Sequence, residues 1–375
     1  MTTTDTTPPG NSPDGVAGAG ENAIELKAVE GKSQGQIVRE RFLRHTGAMV
    51  SLVVLAGVLV LAYSSVGIGP LPGWWKYDYT ATNDVLDLGK PTLGLPTWLG
   101  GSGLAWGEHP FGQDTIGKDN FAMVMRGIQV SFNVTVIIGV VASIIGIAIG
   151  ALSGFLRGFI DGALMRFTDL IITFPVIVIG AVLGKLAGGG NWFYLALALG
   201  LITWTSLARL VRAEFLTLRE REFVDAARVA GASNARIMFR HMLPNAAGVI
   251  IVNTTLLMSI AVLLETALSY LGFGITQPEV SLGQLISEYQ TAFATRPWLF
   301  WWPGLFIIII VLAINFIGDG LRDAFDPRQK KIPSAREMDK ALAAQESSDP
   351  GDGSVTGGRV SMKRADEQSQ AEKPS

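Results

Sequence analysis

Six long apolar runs with few or no charged side chains constrain this chain more than any other feature. They cover residues 47–70, 127–156, 163–184, 186–208, 241–264 and 297–318. A membrane-spanning helix needs about 20 mainly apolar residues, and helices of soluble proteins rarely stay uncharged for that length. The third run is interrupted only near its start, by Arg166 and Asp169. The sequence therefore predicts an all-α polytopic membrane protein with six transmembrane helices.

The polar ends of the chain set the expected domain boundaries. The first apolar run is too long, and too far from the N-terminus, to be a cleaved signal peptide, so we expect a retained span. Residues 1–38 and most of 320–375 are rich in Thr, Ser, Gly, Pro and charge, a composition typical of disordered tails. Residues 39–126 are predicted to hold the first helix and a long external loop. Residues 127–319 are predicted to hold a five-helix core.

The distribution of basic residues predicts the orientation in the membrane. Cytoplasmic loops carry an excess of Lys and Arg, and Trp favours the lipid headgroup layer. The densest basic segment lies between the fourth and fifth runs and contains Arg209, Arg212, Arg219, Arg221, Arg228, Arg236 and Arg240. The tryptophans cluster at the opposite ends of the runs. We therefore expect both termini to be cytoplasmic.

Several kinds of chemistry are disfavoured by the residues that the chain lacks. There is no cysteine, and the three histidines all lie outside the centres of the apolar runs. The net charge of −2 argues against nucleic acid as a partner. Residues 112–119 nearly match a phosphate-binding loop, but Asp119 stands where a hydroxyl should coordinate Mg²⁺. We therefore expect neither an enzyme with its own ATPase nor a metal or cofactor site.

The basic segment between the fourth and fifth runs has the pattern of a helix, a glycine and a second helix. Phe223, Ala226, Ala227 and Ala230 fall on one helical face, and Asp225 can pair with Arg221 or Arg228. Gly231 can stop this helix, Ser233 can cap the next, and Pro244 can start the following span. These residues alone leave two interpretations open: a solvated cytoplasmic loop, or an element that docks another protein.

The spacing in this segment resembles the EAA loop of ABC importer permeases. The residues are Asp225-Ala226-Ala227-x3-Gly231-x9-His241-x-Leu243-Pro244, with Asp in place of Glu and His in place of the usual Ile. In that family the loop is a coupling helix seated in a groove of the cytoplasmic ATPase. The resemblance implies that residues 216–244 form the coupling loop. It assigns the docking contact to Phe223, Asp225, Ala226, Ala227 and Gly231.

Three further stretches resemble the C-type permeases of the dipeptide, oligopeptide and nickel branch. The first is an external segment with His109, Asp114, Asp119 and Arg126, the second runs from Glu265 to Gly274, and the third from Asn315 to Arg328. The resemblance implies the type I ABC importer permease fold in a bacterial inner membrane. It also implies a second, B-type permease, two cytoplasmic ATPases, an external substrate-binding protein and a peptide substrate.

Nickel or another small solute remains an alternative substrate. A secondary transporter, a channel or a membrane scaffold remain alternative functions. Such transporters usually carry a charge or a broken helix near mid-membrane, and the least interrupted runs here lack a central charge.

Three polar residues within the runs or at their ends are candidates for the translocation path or its gate: Glu265, Asn253 and Asn133. Glu265 lies 21 residues beyond Pro244, or about 32 Å along a helix, which places it near the outer face. It is expected there as a gate, as a binding-protein contact or as a solvated interfacial carboxylate. Asparagines within spans more often bond across helices than bind substrate. Asp169 is expected to pair with Arg166, three residues earlier.

Overall fold

The computed structural model describes residues 34–94, 103, 105–186 and 190–326. The predicted disorder of the tails therefore falls mostly outside the described residues. Residues 34–38, placed in the predicted N-terminal tail, instead begin the first described helix. Residues 320–325 complete the last described helix, at the edge of a tail of which only most is predicted to be disordered.

The described part of the chain is helical apart from one short hairpin and its loops. Its α-helices, in chain order, are α1 (Gln34–Arg44), α2 (Thr46–Val66), α3 (Asn120–Leu156), α4 (Gly158–Ile172), α5 (Val176–Leu186), α6 (Trp192–Thr203), α7 (Thr205–Arg219), α8 (Glu222–Val229), α9 (Asn234–Arg236), α10 (Leu243–Tyr270), α11 (Leu282–Tyr289) and α12 (Trp298–Phe325). A π-helical turn, Ile237–Met242, joins α9 to α10. Strands β1 (Gly67–Ile68) and β2 (Leu71–Pro72) pair antiparallel just after α2.

Four helical segments are long and apolar enough to cross a membrane as continuous spans. They are α2, α3, the continuous helix from Asn234 to Tyr270, and α12. Two bent pairs, α4 with α5 and α6 with α7, bring the number of spans to six if each pair counts as one. The structure thus has the predicted all-helical membrane architecture, although two of the six predicted spans are not continuous helices.

The bend between α4 and α5 is the larger of the two, at 79°, against 41° between α6 and α7. Proline lacks a backbone N–H and disfavours helical geometry at the residue before it. Pro175 stands at this break, between the end of α4 and the start of α5. The low charge of residues 163–184 predicted one continuous span. That prediction did not take into account that Pro175 interrupts the helix.

Helix α3 is the central element of the described structure. Most of its residues are buried, and its neighbours include α2, α6, α7, α10 and α11. The Asp119 carboxylate begins the helix by accepting a hydrogen bond from the Ala122 amide at 2.9 Å. Because α3 lies between the other spans, the packing of its surface determines where they sit.

Three glycines, spaced one helical turn apart, let α7 approach α3 closely. A methyl group added at Gly150 would lie 2.5 Å from the Ala208 carbonyl oxygen, and one at Gly154 would lie 2.7 Å from the Arg212 carbonyl oxygen. At Gly146 the nearest atoms belong to Leu207 and Trp204, at 3.1 Å. In a membrane, small residues promote helix association because they allow backbones to pack together.

The loop between α2 and α3, described for residues 67–94, 103 and 105–119, packs onto the ends of the spans. Phe111 stacks on Trp302 of α12, with ring centroids 3.9 Å apart. Trp75 packs against Phe121 at 4.7 Å between centroids. The predicted long loop is thus a packed cap over α3 and α12.

Replacing Gly150 by valine is expected to destabilise the chain, because the added side chain meets a backbone carbonyl that cannot move out of the way. Overpacking of this kind costs about 1–3 kcal/mol or more. Gly57 on α2 is the matched control, since nothing lies within 4 Å of an added methyl group there. We expect the apparent melting temperature in detergent to fall for Gly150→Val and to stay near wild type for Gly57→Val. Equal melting temperatures would contradict the close packing of α3 on α7.

Candidate functional site

Residues 219–244 fold into an arch of two short helical segments between α7 and α10. Gly231 has a φ of 77°, in the left-handed region that favours glycine. The chain reverses there through hydrogen bonds from the Gly231 amide to Arg228 and from the Ala232 amide to Ala227, both 3.0 Å. Ser233 caps α9, and Pro244 lies in the first turn of α10. The backbone of the predicted helix, glycine and helix is therefore present.

One side chain of α8 anchors the arch to the spans. Val224 is fully buried in an apolar cluster with Phe215 of α7 and with Ile237 and Met242 of the π-helical turn. Ala227 and Leu243 pack on the same cluster. This cluster therefore packs α7, α8 and the start of α10 against one another.

The opposite side of the arch is open and partly apolar. Phe223, Asp225, Ala226 and Gly231 are exposed, whereas Ala227, predicted to share one helical face with Phe223 and Ala226, lies half-buried on the inner side. Val229 is 90% exposed and Phe239 is 67% exposed. Of the two predicted partners of Asp225, the structure shows Arg228, with its Nη1 2.9 Å from Asp225 Oδ1.

The end of the EAA-like pattern lies at the junction with α10. His241 belongs to the π-helical turn and is half-buried, as is Leu243. Pro244 is exposed, and the His241 carbonyl accepts a hydrogen bond from the Asn245 side chain. These three residues therefore shape the entry into α10, while the exposed surface is supplied by α8 and the turn.

Ion pairs connect α7, which precedes the arch, to α4. Asp161 receives Arg212 Nε at 2.6 Å on one carboxylate oxygen and Arg212 Nη2 at 2.7 Å on the other. Ser153 of α3 also donates to Asp161. Asp169 pairs with Arg209 at 2.5 Å, so the prediction that it pairs with Arg166 is wrong. Helix α7 lies alongside α4 in the folded chain. Residue spacing along one helix does not reveal this long-range contact.

A cavity of about 560 Å³ lies where the two bends meet α10. Its wall includes Phe174 and Pro175 at the first bend, Thr203 and Thr205 at the second, and Asn253 on α10. Among the described residues, its lining contains no charged side chain, and most of it is aliphatic or aromatic. Asn253 also donates to the Val249 carbonyl of its own helix.

The other two candidates for the path lie outside this lining. Asn133 accepts a 2.5 Å hydrogen bond from the Tyr63 hydroxyl, so it joins α3 to α2. Glu265 is 0% exposed, which contradicts the solvated interfacial carboxylate considered from the sequence. Its distance along α10 does not reveal that α3 and α11 cover it.

Two serines hold the buried Glu265 carboxylate. Ser131 of α3 donates to it at 2.9 Å and Ser269 of α10 at 2.8 Å. The same hydroxyls accept hydrogen bonds from the amides of Leu282, where α11 begins, and Ile275. Glu265 thus ties together α3, α10 and the segment leading into α11.

The external residues form a packed polar cluster. His109 Nδ1 lies 2.7 Å from Asp119 Oδ1, and Trp75 Nε1 donates to Asp119 Oδ2 at 2.8 Å. Burial raises the pKa of the Asp119 carboxyl, against the opposing effect of the bond with His109. Asp114 accepts from the amides of Ile116 and Lys118. In this turn those two amides are already bonded to a carboxylate and are not free to cradle a phosphate.

Arg126 links this cap to a second loop. Its guanidinium reaches both carboxylate oxygens of Glu279, at 2.9 and 3.2 Å, and donates to Gln129 at 3.1 Å. Gln129 in turn donates to the carbonyls of Ala62 and Gly67 at the end of α2. The hydrogen bonds and ion pairs of His109, Asp114, Asp119 and Arg126 therefore stabilise the cap.

The sequence profile described as "Binding-protein-dependent transport system inner membrane component" matches residues 146–331, and that of the "N-terminal TM domain of oligopeptide transport permease C" matches residues 33–91. The oligopeptide transport system permease protein OppC of Salmonella typhimurium is 37% identical over 310 residues, which span 83% of this chain and 96% of OppC. This chain belongs to the family of binding-protein-dependent transport system inner membrane components. It is a multi-pass membrane permease with the ABC importer permease fold.

Two further chains are similar to this permease. OppC of Mycobacterium bovis is 36% identical over 301 residues, which span 80% of the permease and 97% of that relative. A chain of the MetNI methionine ABC transporter, in an inward-facing conformation, aligns with 54% of the permease at 19% identity and a TM-score of 0.46.

Sequence reasoning missed the pairs that join α4 to α7 and the cavity at the two bends. Pro175 inside an apolar run was the available signal for the first bend. The surplus of arginines on α7 facing two aspartates on α4 was the signal for the pairs. Neither signal says which charges meet, because that depends on how the bent helices pack.

Replacing Glu265 by alanine is expected to destabilise the permease, because two buried hydroxyls lose their acceptor. A lost partner of this kind costs about 1–3 kcal/mol. Glu265→Gln, which keeps the side-chain volume and one acceptor oxygen, should cost less. The comparison is the apparent melting temperature of the two variants in detergent. An alanine variant as stable as wild type would mean that the network holds nothing together.

Proposed function

We propose that this permease is one of two membrane subunits of an ATP-driven importer of peptides. The observation that carries the proposal is the arch. One side of it is fixed to the spans by Val224, and its other side presents Phe223, Asp225 and Ala226. With this arrangement a separate protein can bind the exposed side of the arch, and movement of α8 is transmitted to α7 and α10.

The substrate class comes from the relatives. The OppC proteins of Salmonella typhimurium, Escherichia coli K12 and Mycobacterium bovis are named as oligopeptide transport system permeases, and each aligns over nearly its whole length. The uncharged cavity is compatible with peptides, because an uncharged wall neither traps nor repels substrates that differ in charge. The cavity at the two bends belongs to one subunit, and a second, B-type permease would complete the path.

In this proposal two cytoplasmic ATPases bind and hydrolyse ATP, and an external binding protein delivers the peptide. Phe223, Asp225, Ala226, Ala227 and Gly231 form the docking contact within residues 216–244, while His241, Leu243 and Pro244 set the angle at which α10 leaves it. Closure of the ATPases moves α8, and the shared apolar cluster carries that movement into α7 and α10. Access to the cavity then switches between the two sides of the membrane.

The orientation places both termini and the arch in the cytoplasm. Arg221, Arg228, Arg236 and Arg240 are exposed on the arch, which fits the excess of positive charge expected on that side. Trp74 and Trp301 are exposed at the opposite ends of the spans, where the aromatic belt would lie. The cap that contains His109, Asp114, Asp119 and Arg126 then faces the binding protein.

Within this arrangement residues 127–319 form the transport core, and residues 39–126 contribute the first span and most of the external cap. Asn253 is the polar residue on α10 that faces the path. Glu265 acts near the outer end by holding α3, α10 and α11 together, and Asn133 by holding α2.

Purification of the tagged permease from its native membrane tests the assembly. We expect a second permease and two ATPases to accompany it. In liposomes, with the binding protein added, the complex should take up labelled di- to pentapeptides only when ATP is inside. A lone homo-oligomer that conducts or exchanges solute would contradict the proposal, and uptake of nickel without peptides would contradict the substrate class.

Gly231→Leu is expected to release the ATPases, because a side chain at positive φ strains the turn that presents α8. Gly272→Leu is the matched control. Both glycines have nearly the same φ, 77° and 76°, and neither has an atom within 4 Å of an added methyl group. The measurement is the amount of ATPase that copurifies with each variant. If both variants retain it equally, Gly231 is not part of the docking element.

A further inference from the structure

We infer that the two ion pairs between α4 and α7 transmit the movement of the arch to the bend at residues 173–175, and so to the cavity wall. Asp161 with Arg212 and Asp169 with Arg209 are, in this inference, positioning residues for transport. The inference rests on the proposed function, since it assumes that the arch is where the ATPases act.

The first step is the weak packing of α4. Within this helix, every residue of which the structure describes, only Thr168 is buried. By contrast, α7 buries six of its residues against α3 and the arch cluster, including Val211, Phe215 and Leu218. Near the start of α7, Ile171 and Phe167 of α4 pack against Trp204. The two ion pairs add directional contacts between the helices to this limited apolar packing.

The second step is the geometry of those contacts. Arg212 makes a bidentate ion pair with Asp161, whose side chain is only 16% exposed. Bidentate ion pairs between arginine and a carboxylate are among the strongest and most directional hydrogen-bonded contacts in proteins. The second pair, Arg209 with Asp169, is about half exposed. The two aspartates are eight residues apart, or about 12 Å along the helix, so together they fix the direction of α4 as well as its position.

The third step is that α4 and α5 are anchored to different helices. Added methyl groups at Gly180 and Gly184 of α5 would meet Leu268 of α10 at 2.8 Å and the Phe273 carbonyl oxygen at 2.0 Å. Thus α5 lies against the outer part of α10, while α4 is tied to α7. The 79° bend between them therefore joins two parts of the chain that different helices hold.

The fourth step is the position of the bend relative to the cavity. Ile171, Phe174 and Pro175, next to the second ion pair, form part of the cavity wall. If the arch moves α7 relative to the outer part of α10, the two pairs move α4 with α7, while α5 stays with the outer part of α10. The angle at residues 173–175 then changes, and Phe174 is displaced relative to Asn253 across the cavity.

Asp161→Asn tests this inference in the complete importer, with both permeases, both ATPases and the binding protein in liposomes. It keeps the size of the side chain and removes its charge. We expect the ATPases to stay bound and hydrolysis to continue, while peptide uptake per ATP hydrolysed falls about tenfold, equivalent to about 1.4 kcal/mol of coupling. A merely structural role would lower uptake and hydrolysis together, in proportion to the complex lost.

Asp323→Asn is the matched control. Asp323 Oδ2 of α12 lies 3.4 Å from His45 Nε2. This pair is at the same end of the spans as the pair of Asp161 with Arg212, but it does not involve α4 or α7. This variant should leave the ratio of uptake to hydrolysis unchanged. Should Asp161→Asn fail to assemble, Asp169→Asn removes the charge of the more exposed pair and gives the same test. An unchanged ratio in the assembled Asp161 variant, or in the Asp169 variant if that one is needed, would overturn the inference.

The movement itself can be followed because the chain contains no cysteine. Spin labels on cysteines introduced at Phe174 and Ile260, both in the cavity wall, should change their separation between the resting and the ATP-trapped complex. In Asp161→Asn that change should disappear, and its persistence would contradict the inference. A wild-type complex that takes up no di- to pentapeptide would instead contradict the proposed function, so the two failures are distinguishable.

Discussion

The close approach of α3 and α7 along Gly146, Gly150 and Gly154 is the constraint on which the rest of the structure depends. Apolar surface drives little helix association within a membrane, so close backbone packing has to hold the spans together. Helix α7 continues directly into the arch, and α3 is the centre of the helical core. The three glycines have no side chain beyond a hydrogen atom, so the backbones of α3 and α7 can contact each other there. This contact therefore determines the position of the arch relative to the core.

Around this contact the chain separates two mechanical roles. The arch is fixed to α7 and α10 by the buried Val224, while its outer side remains free. Helix α4 has the opposite character, since it packs weakly and is joined to α7 by two ion pairs. Helix α7 is thus packed against the arch at one end and paired with α4 by two ion pairs along its length. These contacts are consistent with a helix that transmits movement from the arch to α4.

Where the cavity lies, the interior of the described membrane region is mostly apolar, with a few hydroxyl and amide groups and no charged side chain in the described lining. Its hydroxyl and amide groups belong to the two bends and to α10. Glu265, the carboxylate buried on α10, is instead held by Ser131 and Ser269. Transporters driven by a coupling ion usually place a charge or a broken helix near mid-membrane. The two bent helix pairs meet at this cavity, but no charged side chain lies in its described lining. The uncharged cavity is better matched to a subunit whose driving energy arrives from outside, through the arch.

The six apolar runs, the pattern of the arch and the family resemblance could all be recognised from the order of the amino acids, although two of the runs are bent. Length and hydrophobicity are local properties, and so are the glycine at positive φ, the serine cap and the proline at the start of α10. The pairs of Asp169 with Arg209 and of Asp161 with Arg212, and the burial of Glu265, follow from which helices pack side by side. Helix α7 lies beside α4 for the two aspartates, whereas α3 and the start of α11 cover Glu265. Spacing along one helix says nothing about a partner that arrives from another.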